Sequence, residues 1–145
     1  MSSFRIRRAN ERDITILSML AEEFMPEEAT GEKRLEILRK ALKNPDYELL
    51  VAEVEGEIAG FIDQWVIHDF AHGAKVSYIQ NLYVTSKHRR KGFGSKLLEE
   101  IIKNAKNKGV LEIHVVAEFG NKPAINLYRK HGLVRKSLQL EREFG

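Results

Sequence analysis

The sequence predicts an α/β fold (an α+β mixed sheet), in which one central mixed sheet is flanked by helices in the order β-α-α-β-β-β-α-β-α-β. Strand patterns rich in β-branched and aromatic residues, separated by short turns, fill the middle third of the chain. Helical spacing of apolar residues dominates the segments before and after it. The last strand of the middle third, the long helix and the next strand form a β-α-β unit, so these two strands are expected to be parallel neighbours.

The composition is that of one folded domain, which we place at residues 1–145. The chain has 145 residues, 43% hydrophobic and 31% charged, with a net charge of +3, which is enough to bury a core. It has no cysteine, which excludes disulfides, thiolate metal ligands and a cysteine nucleophile. No apolar run approaches the roughly 20 residues that span a bilayer, and the first residues lack the apolar segment of a signal peptide. We therefore expect a cytoplasmic protein without a membrane partner.

The N-terminal third contains one predicted strand and two predicted helices. Residues 4–8 alternate apolar and charged side chains, as a strand does. Asn10 is a candidate helix cap, and the apolar residues that follow it recur at helical spacing until Pro26 breaks the helix. A second helix runs from Glu32 and is stopped by Pro45.

The middle third is predicted to be an antiparallel meander. Residues 47–54 and 58–67 flank the tight turn Glu55-Gly56-Glu57, which predicts a β-hairpin. A polar loop then leads to a third strand at residues 75–84.

The C-terminal third is predicted to alternate helices and strands. A long amphipathic helix ends at Gly109, and a half-buried strand runs from there to Ala117. Pro123 opens a short helix that Gly132 closes. Residues 133–144 are predicted to end the fold as one or two strands.

A basic turn that contains two glycines joins the third strand of the meander to the long helix. It reads Lys87-His88-Arg89-Arg90-Lys91-Gly92-Phe93-Gly94-Ser95. The first amides of a helix have no internal partner and carry the positive end of the helix dipole, and glycines let an anion approach them closely. The turn is therefore predicted to hold a phosphorylated cofactor.

Other phosphate and nucleic-acid patterns fit this turn less well. The P-loop spacing is absent, and Leu97 stands where a dinucleotide fingerprint needs a third small residue. Lys91-Gly92-Phe93-Gly94 matches the opening of an RNA-recognition pattern, but Ser95 and Lys96 break the match. An RNA-binding module that uses the basic turn at residues 87–91 is the alternative interpretation.

Two motifs follow one another along the C-terminal half. The first is Arg89-Arg90-Lys91-Gly92-Phe93-Gly94, preceded by the strand Ile79-Gln80-Asn81-Leu82-Tyr83-Val84. The second is Asn121-Lys122-Pro123-Ala124-Ile125-Asn126-Leu127-Tyr128-Arg129-Lys130-His131-Gly132. They resemble the Arg/Gln-x-x-Gly-x-Gly/Ala and Asn-x-x-Ala-x-x-Leu-Tyr-x-x-x-Gly signatures of the GNAT superfamily of acetyl-CoA-dependent N-acetyltransferases. The resemblance implies transfer of an acetyl group from acetyl-CoA to a primary amine of a small amine, a polyamine or a protein.

The resemblance also implies where acetyl-CoA binds. Backbone amides of the turn would bind the CoA diphosphate, with basic side chains nearby, and the preceding strand would offer backbone groups to the pantetheine arm, as in strand addition. Asn121 would either hydrogen-bond the same arm or cap its helix. The predicted cofactor-binding residues are Leu82, Tyr83, Val84, Arg89, Arg90, Lys91, Gly92, Phe93, Gly94, Ser95 and Asn121.

The implied reaction is the attack of a neutral amine on the acetyl thioester. An alkylammonium group has a pKa near about 10, so it must lose a proton first. The resemblance makes Tyr128 the general acid for the leaving thiolate, and the backbone amide of Leu82 would polarise the carbonyl oxygen. Because the chain has no cysteine for an acetyl-enzyme intermediate, direct attack in a ternary complex is the hypothesis.

The general base is left open by the sequence. Some members of the family carry a carboxylate on the fourth strand, where this chain has Gln80-Asn81, and amides accept no proton. Ordered water, Glu118, Asp63 and His114 are the candidates.

The acceptor is also left open. The acidic residues Glu22, Glu23, Glu27 and Glu28 would either attract a polyamine or a lysine side chain or form a solvated helix end. A protein N-terminus is a further candidate, although the chain lacks the paired tyrosines of ribosomal-protein N-terminal acetyltransferases.

No metal site and no nucleic-acid partner are predicted. His68 and His72 flank Asp69 at a spacing that could ligate a metal, but the segment is typical of a hairpin loop. His88 and His131 are expected to be solvated or structural. A homodimer is an open option for the oligomeric state.

Overall fold

The computed structural model describes residues 3–145, in which two helices follow the first strand, three strands follow those helices, and a helix, a strand and a helix come last. The strands are β1 (Phe4–Arg8), β2 (Tyr47–Val54), β3 (Glu57–Asp69), β4 (Ala74–Val84) and β5 (Val110–Val115). The α-helices are α1 (Ile14–Phe24), α2 (Gly31–Leu42), α3 (Phe93–Asn107) and α4 (Lys122–Lys130). Single 3₁₀ turns at Glu11–Asp13 and Ser86–His88 precede α1 and α3. Among the described residues, no helix is both long enough and apolar enough to cross a membrane.

The five strands form one sheet in the order β1-β2-β3-β4-β5. The pairs from β1 to β4 are antiparallel, and β5 is parallel to β4. The predicted mixed sheet, its meander and the parallel neighbours joined by a helix are therefore confirmed.

Alternation along β2 sends side chains into two separate cores. Leu50 and Ala52 lie under α3 and α4, whereas Leu49 and Val51 lie under α1 and α2. The first core contains Leu50, Ala52, Ile62, Ile79, Leu97, Leu98, Ile101 and Tyr128. The second contains Leu17, Leu20, Ala41, Tyr47, Leu49, Val51 and Phe61. The sheet is thus covered on both faces, as its strand patterns require.

The residues predicted to begin or end helices, Asn10, Gly109 and Gly132, lie at helix ends in the structure. The side chain of Asn10 accepts a hydrogen bond from the Arg12 amide (2.9 Å) and opens the 3₁₀ turn that leads into α1. Gly109 and Gly132 adopt the left-handed conformation (φ 77° and 89°) just after α3 and α4 end, which is the conformation of a helix C-cap glycine.

The strand prediction for residues 133–144 is wrong for the described structure. No residue after Gly132 belongs to a helix or strand, and Leu138 and Leu140 are 77% and 84% exposed. The alternation of side chains that predicted a strand is present in the sequence. A strand also needs a neighbour for its backbone groups, and the described part of the chain supplies none there.

Candidate active site

Strands β4 and β5 separate halfway along β4. Their pairing ends at Ile79 and Val115, but β4 continues to Val84 with β3 as its one strand neighbour. The backbone groups of Leu82 to Val84 on the β5 side therefore have no strand partner. This gap is the kind of edge to which an extended, amide-bearing ligand adds.

A β-bulge lies at the start of the gap. The register passes from Gln64 opposite Ile79 to Ile62 opposite Leu82, so two β4 residues face Asp63 alone. One oxygen of Asp63 accepts a hydrogen bond from the Asn81 amide (2.9 Å), and the other accepts from the Asn81 side chain (2.9 Å). The carboxylate thus satisfies a bulge amide that a strand carbonyl would otherwise bind.

Asp63 is almost fully buried. It is 4% exposed, and the hydroxyl of Tyr47 donates a third hydrogen bond to it at 2.6 Å. Burial raises the pKa of Asp63, whereas the donors from Tyr47 and Asn81 oppose that rise. Because both oxygens already accept hydrogen bonds, Asp63 stabilises the bulge and is poorly placed to take a proton from a substrate.

The turn after β4 is built from left-handed residues. Arg90 and Gly92 have φ values of 63° and 82°, and α3 begins at the next residue, Phe93. Gly92 is the N-cap and provides no side-chain cap. The first bond into the helix from the turn is Lys96 N–H to the Gly92 carbonyl (3.1 Å).

The amides of residues 90–95 form a run of donors without partners in the described chain. Helices end in such groups, but here the turn before the helix prolongs the run. With the positive end of the α3 dipole behind them, these amides favour a bound anion. The geometry therefore supports the predicted phosphate site.

The turn opens into a cavity of about 590 Å³ between β4, α3 and α4. The predicted cofactor residues that line it are Leu82, Val84, Arg89, Arg90, Gly92, Phe93, Gly94 and Ser95. The other lining residues, which were not among the predicted site residues, are His88, Pro123, Ala124, Asn126, Leu127 and Lys130. The α4 residues among them recur at helical spacing on one face, which is the signal that could have found them.

Three predicted cofactor residues, Tyr83, Lys91 and Asn121, do not line the cavity. The ring of Tyr83 lies on the other face of the sheet, 5.4 Å from that of Phe24, and its hydroxyl donates to Glu23 (3.1 Å). The side-chain oxygen of Asn121 accepts from the Ala124 amide (3.3 Å) and so caps α4.

Arg89 holds the turn against the end of β4. Its Nε donates to the Val84 carbonyl (3.0 Å), and its guanidinium lies 5.5 Å from the centre of the Tyr83 ring. These contacts fix the direction in which the chain enters the turn.

Two histidines brace the same turn. His88 is buried, and its Nδ1 lies 2.8 Å from the Thr85 hydroxyl. His131 Nε2 lies 2.8 Å from the Ser95 hydroxyl and so joins the end of α4 to the start of α3. Both histidines have the structural role that the sequence allowed, and His88 also contributes to the cavity wall.

Tyr128 belongs to the core under α3 and α4 and is 8% exposed. Its neighbour Leu127 lines the cavity, but Tyr128 itself does not. Its hydroxyl makes no hydrogen bond within residues 3–145, and burial raises its pKa. The hydroxyl is therefore protonated at neutral pH and not committed to another protein group.

The opposite face of β4 carries a row of aromatic side chains. Tyr78 stacks on the His114 ring with centroids 4.8 Å apart and an interplanar angle of 14°, and Trp65 is the register partner of Tyr78. His114 Nε2 lies 3.1 Å from the Glu112 carboxylate. Glu118, the remaining candidate base, is exposed just beyond β5.

Several charged residues that the sequence singled out are paired locally. Glu22 binds Arg34 (2.6 Å) and accepts from the Glu27 amide (2.9 Å), so its charge is largely compensated within the helix pair. His68 lies against Asp46 (3.3 Å) and His72 against Asp69 (2.7 Å). Within the described residues, no group of three or more potential metal ligands forms.

Fold and site together define a class: an α/β domain in which a helix begins with unpartnered amides beside the point where two parallel strands separate. The model of the family described as "Acetyltransferase (GNAT) family" matches residues 14–133. The chain therefore belongs to the acetyltransferase (GNAT) family. The predicted family and the predicted enzyme class, an N-acetyltransferase, are confirmed.

Curated relatives of similar length carry acetyltransferase names. A mouse thialysine N-epsilon-acetyltransferase is 29% identical, over 89% of this chain and 83% of the relative. An N-alpha-acetyltransferase from Sulfurisphaera tokodaii is also 29% identical, over 89% of this chain and 79% of the relative.

Solved structures share the fold along almost the whole chain. An aminoglycoside N-acetyltransferase in complex with CoA superposes with a TM-score of 0.87 at 19% identity, covering 99% of this chain and 96% of the other. Glucosamine-6-phosphate N-acetyltransferase from Arabidopsis thaliana gives 0.83 at 23% identity, covering 99% of each. These likenesses confirm the predicted fold class.

Proposed function

We propose that this chain transfers the acetyl group of acetyl-CoA to a primary amine by direct attack within a ternary complex. One observation carries the proposal: the run of unpartnered amides at residues 90–95 at the start of α3, facing a cavity that β4 borders. Acetyl-CoA would supply an activated acyl group as a thioester and a diphosphate that suits these amides.

The residues of the cavity suit the two polar parts of this cofactor. The amides of residues 90–95, with the charges of Arg90 and Lys91, would bind the diphosphate. The edge at Leu82 to Val84, which has no strand partner on the β5 side and whose Val84 carbonyl accepts from Arg89, would bind the amides of the pantetheine arm. The backbone groups of this edge belong to Leu82 and Val84, because the Tyr83 carbonyl faces Gly60 on β3 and the Tyr83 side chain packs in the other core. The side-chain nitrogen of Asn121 is left to donate to the arm, since only the oxygen serves as the helix cap.

Two groups of the chain would act on the reacting atoms. The Leu82 amide would polarise the acyl oxygen, because it follows the bulge at the point where β4 leaves β5. Tyr128 would hold the proton that the departing sulfur needs, since burial keeps its hydroxyl neutral and no described group competes for it.

The amine would lose its proton on the solvent side. Gln80 and Asn81 accept no proton, and both oxygens of Asp63 already accept hydrogen bonds. His114 and Glu118 are at least partly open to solvent and are the side chains to test, with water as the remaining acceptor.

The acceptor site is proposed on the face of the sheet that carries Tyr78 of β4 and His114 of β5. α1 and α2 cover β2 and β3 on this face, whereas the stacked pair on β4 and β5 stays half-exposed. The names of the relatives point to the ε-amine of a lysine analogue and to an α-amine. A primary amine on a short flexible chain, from a small molecule, a polyamine or a protein, is the proposed substrate class.

Thermal unfolding with acetyl-CoA tests the cofactor site. We expect saturating acetyl-CoA to raise the melting temperature, whereas RNA should not. Gly94→Trp should abolish this rise because the indole fills the cavity. Gly94→Ala is the matched control, because a Cβ there makes ordinary contacts of 3.7 Å with Leu127 and 3.8 Å with Val84. If acetyl-CoA stabilised wild type and Gly94→Trp equally, the proposal would be contradicted. Salt-sensitive RNA binding that CoA does not displace would also contradict it.

A panel of amines then identifies the acceptor. Thiol release from acetyl-CoA would be followed with spermidine, lysine, thialysine and peptides with a free α-amine. Turnover with at least one primary amine is expected, and none with the matching N,N-dimethylated amine, which cannot form a neutral amide. Release of thiol at the same rate without any amine would mean hydrolysis and would contradict the proposal.

Two expectations from the sequence remain predictions. One is that residues 1–145 act as a single N-acetyltransferase domain, which is supported by the packing of both helix pairs on one sheet. The other is a cytoplasmic location.

A further inference from the structure

Ser95 brings a hydroxyl group to the same site as the unpartnered amides. It is the third residue of α3 and lines the cavity, and its own amide belongs to the run at residues 90–95. Its hydroxyl is partly buried and lies 2.8 Å from Nε2 of His131, the residue that follows α4. Ser95 therefore offers the cavity an amide that always donates and a hydroxyl whose direction depends on His131.

The protonation state of His131 decides what this hydroxyl can do. A neutral imidazole has one donor and one acceptor nitrogen, and no hydrogen bond from Nδ1 of His131 to a described residue fixes which is which. When Nε2 is the acceptor, the hydroxyl donates to it and turns only oxygen lone pairs to the cavity. A protonated imidazole donates from both nitrogens, so the hydroxyl oxygen accepts from Nε2 and its proton turns elsewhere. A diphosphate has acceptors only, and it therefore matches the protonated pair.

The charged surroundings of His131 are mostly basic. The charged residues on the elements that meet here are Arg90 and Lys91 in the turn, Lys96 and Glu99 on α3, and Arg129 and Lys130 on α4. Lys96 is turned toward β1, with its Nζ 4.7 Å from the centre of the Phe4 ring. No carboxylate of residues 3–145 forms an ion pair with His131. A diphosphate at the turn would supply the negative charge that a protonated His131 lacks within the described chain.

His88, the other histidine of the turn, provides a comparison. It lines the cavity, and its Nδ1 lies 2.8 Å from the Thr85 hydroxyl. Thr85 does not line this cavity, so the hydroxyl that His88 contacts lies outside the cavity wall. Of these two pairs, only Ser95 and His131 place a hydroxyl in the cofactor site.

We propose that His131 is a positioning residue of the cofactor site. When protonated, it turns the Ser95 hydroxyl toward the CoA diphosphate, and cofactor binding therefore takes up a proton. This role rests on the proposed function, because it needs the diphosphate at residues 90–95. A ligand that prefers the protonated form binds more tightly as the pH falls through about 6.5, where an imidazole ordinarily titrates. The acceptor amine must lose a proton, so cofactor binding and amine attack would respond to pH in opposite directions.

Calorimetric titration of the full chain with 3′-dephospho-CoA tests this role. The probe keeps the diphosphate but lacks the 3′-phosphate of CoA, whose second pKa near about 6 would titrate in the same range. Its dissociation constant for wild type should be about tenfold lower at about pH 5.5 than at about pH 8, as one hydrogen bond to a charged group would give. At about pH 6.5, the heat of binding should change with the ionisation enthalpy of the buffer in the direction of proton uptake.

His131→Gln is the matched variant, because the amide of glutamine donates at every pH. Its affinity for the probe should hardly change between the two pH values. Ser95→Ala removes the hydroxyl and keeps the imidazole, and it should reduce the pH dependence. Thermal unfolding at both pH values checks that each protein is folded, and a variant that is not folded leaves the decision to the other.

The outcomes separate this role from the proposed function. A wild type that binds the probe equally at both pH values would overturn the role of His131 and leave the cofactor site intact. Wild-type pH dependence in His131→Gln or in Ser95→Ala would show that the hydroxyl and imidazole pair does not carry the effect, and it would also overturn the role. Failure to bind the probe at either pH would contradict the proposed cofactor site itself, and this role with it.

Discussion

The two faces of the sheet at β4 present different chemical groups, backbone groups on one side and side chains on the other. On the cavity side, the site consists of backbone groups: the open edge at Leu82 to Val84 and the amides of residues 90–95. On the other side, the surface consists of side chains, with Tyr78 stacked on His114 and the Tyr83 ring packed on Phe24. A face built from backbone can bind a cofactor shared by many proteins, whereas a face built from side chains can differ from one protein to the next.

The two faces are not independent, because Asp63 connects them. Its side chain lies on the side-chain face with Tyr47, yet it binds the Asn81 amide in the bulge that precedes the open edge. A substitution on the side-chain face that moves this carboxylate should therefore also move the backbone of the bulge.

Tyr128→Phe should give the largest effect on turnover. Such an effect would show that a side chain, as well as backbone groups, acts on the cavity side. We expect turnover to fall about 100-fold or more, as removal of a general acid does. The melting temperature and its rise with acetyl-CoA should stay unchanged, because the hydroxyl makes no hydrogen bond with described residues. Steady-state kinetics and thermal unfolding provide both readouts, and wild-type turnover in this variant would remove Tyr128 from the mechanism.

Gly60→Ala should disturb the cavity side through the backbone alone. A Cβ at Gly60 would lie 2.5 Å from the Tyr83 carbonyl oxygen, so β3 and β4 would have to separate at a cost of about 2–3 kcal/mol. Gly73→Ala is the control: its Cβ meets no atom within 4 Å, although its φ of +62° strains an alanine, at a cost of about 1 kcal/mol. Urea unfolding should rank the two variants in this order, and equal losses would contradict the close contact.

Asp63→Asn should show how strongly the faces are coupled. The NH₂ group of the new amide would face the donors of Asn81 or Tyr47, so two buried donors would meet without an acceptor. We expect this to lower the free energy of unfolding by about 1–3 kcal/mol. Tyr47→Phe is the milder control, because Asp63 keeps both bonds from Asn81. If the bulge positions the cofactor edge, Asp63→Asn should also raise the KM for acetyl-CoA. An unchanged KM at lower stability would confine Asp63 to a structural role.

The smallest expected effect lies away from both faces, at Asp13. Arg7 binds this carboxylate (2.7 Å) and lowers its pKa, an effect that burial partly opposes. A lowered folded pKa gives stability that is present above the unfolded pKa, about 3.9, and lost as pH falls through the folded value. The free energy of unfolding should thus decline below about pH 4, and Asp13→Asn should flatten that decline. An equally steep decline in the variant would place its origin at other carboxylates.

The cavity side could be predicted from the sequence to a large extent. A turn that presents amides to an anion needs glycine at fixed positions next to a helix start. Gly92 and Gly94 occupy these positions, so the turn is visible in the sequence. The lining residues of α4 were missed because their spacing also fits ordinary core packing. The bulge was missed because nothing in Gln80 or Asn81 indicates that Asp63 will stand opposite them.

The sequence by itself determined the order of strands and helices as far as α4, the glycine turn before α3 and the family, because each depends on local conformation and spacing along the chain. Tertiary structure alone decided which residues face one another, such as Tyr78 with His114 and Asp63 with the bulge. It also left residues 136–144 without a strand neighbour among residues 3–145. The physical reason is that a pattern of side chains fixes which side of a strand is apolar, whereas the register and the neighbouring strand are set by contacts between distant segments.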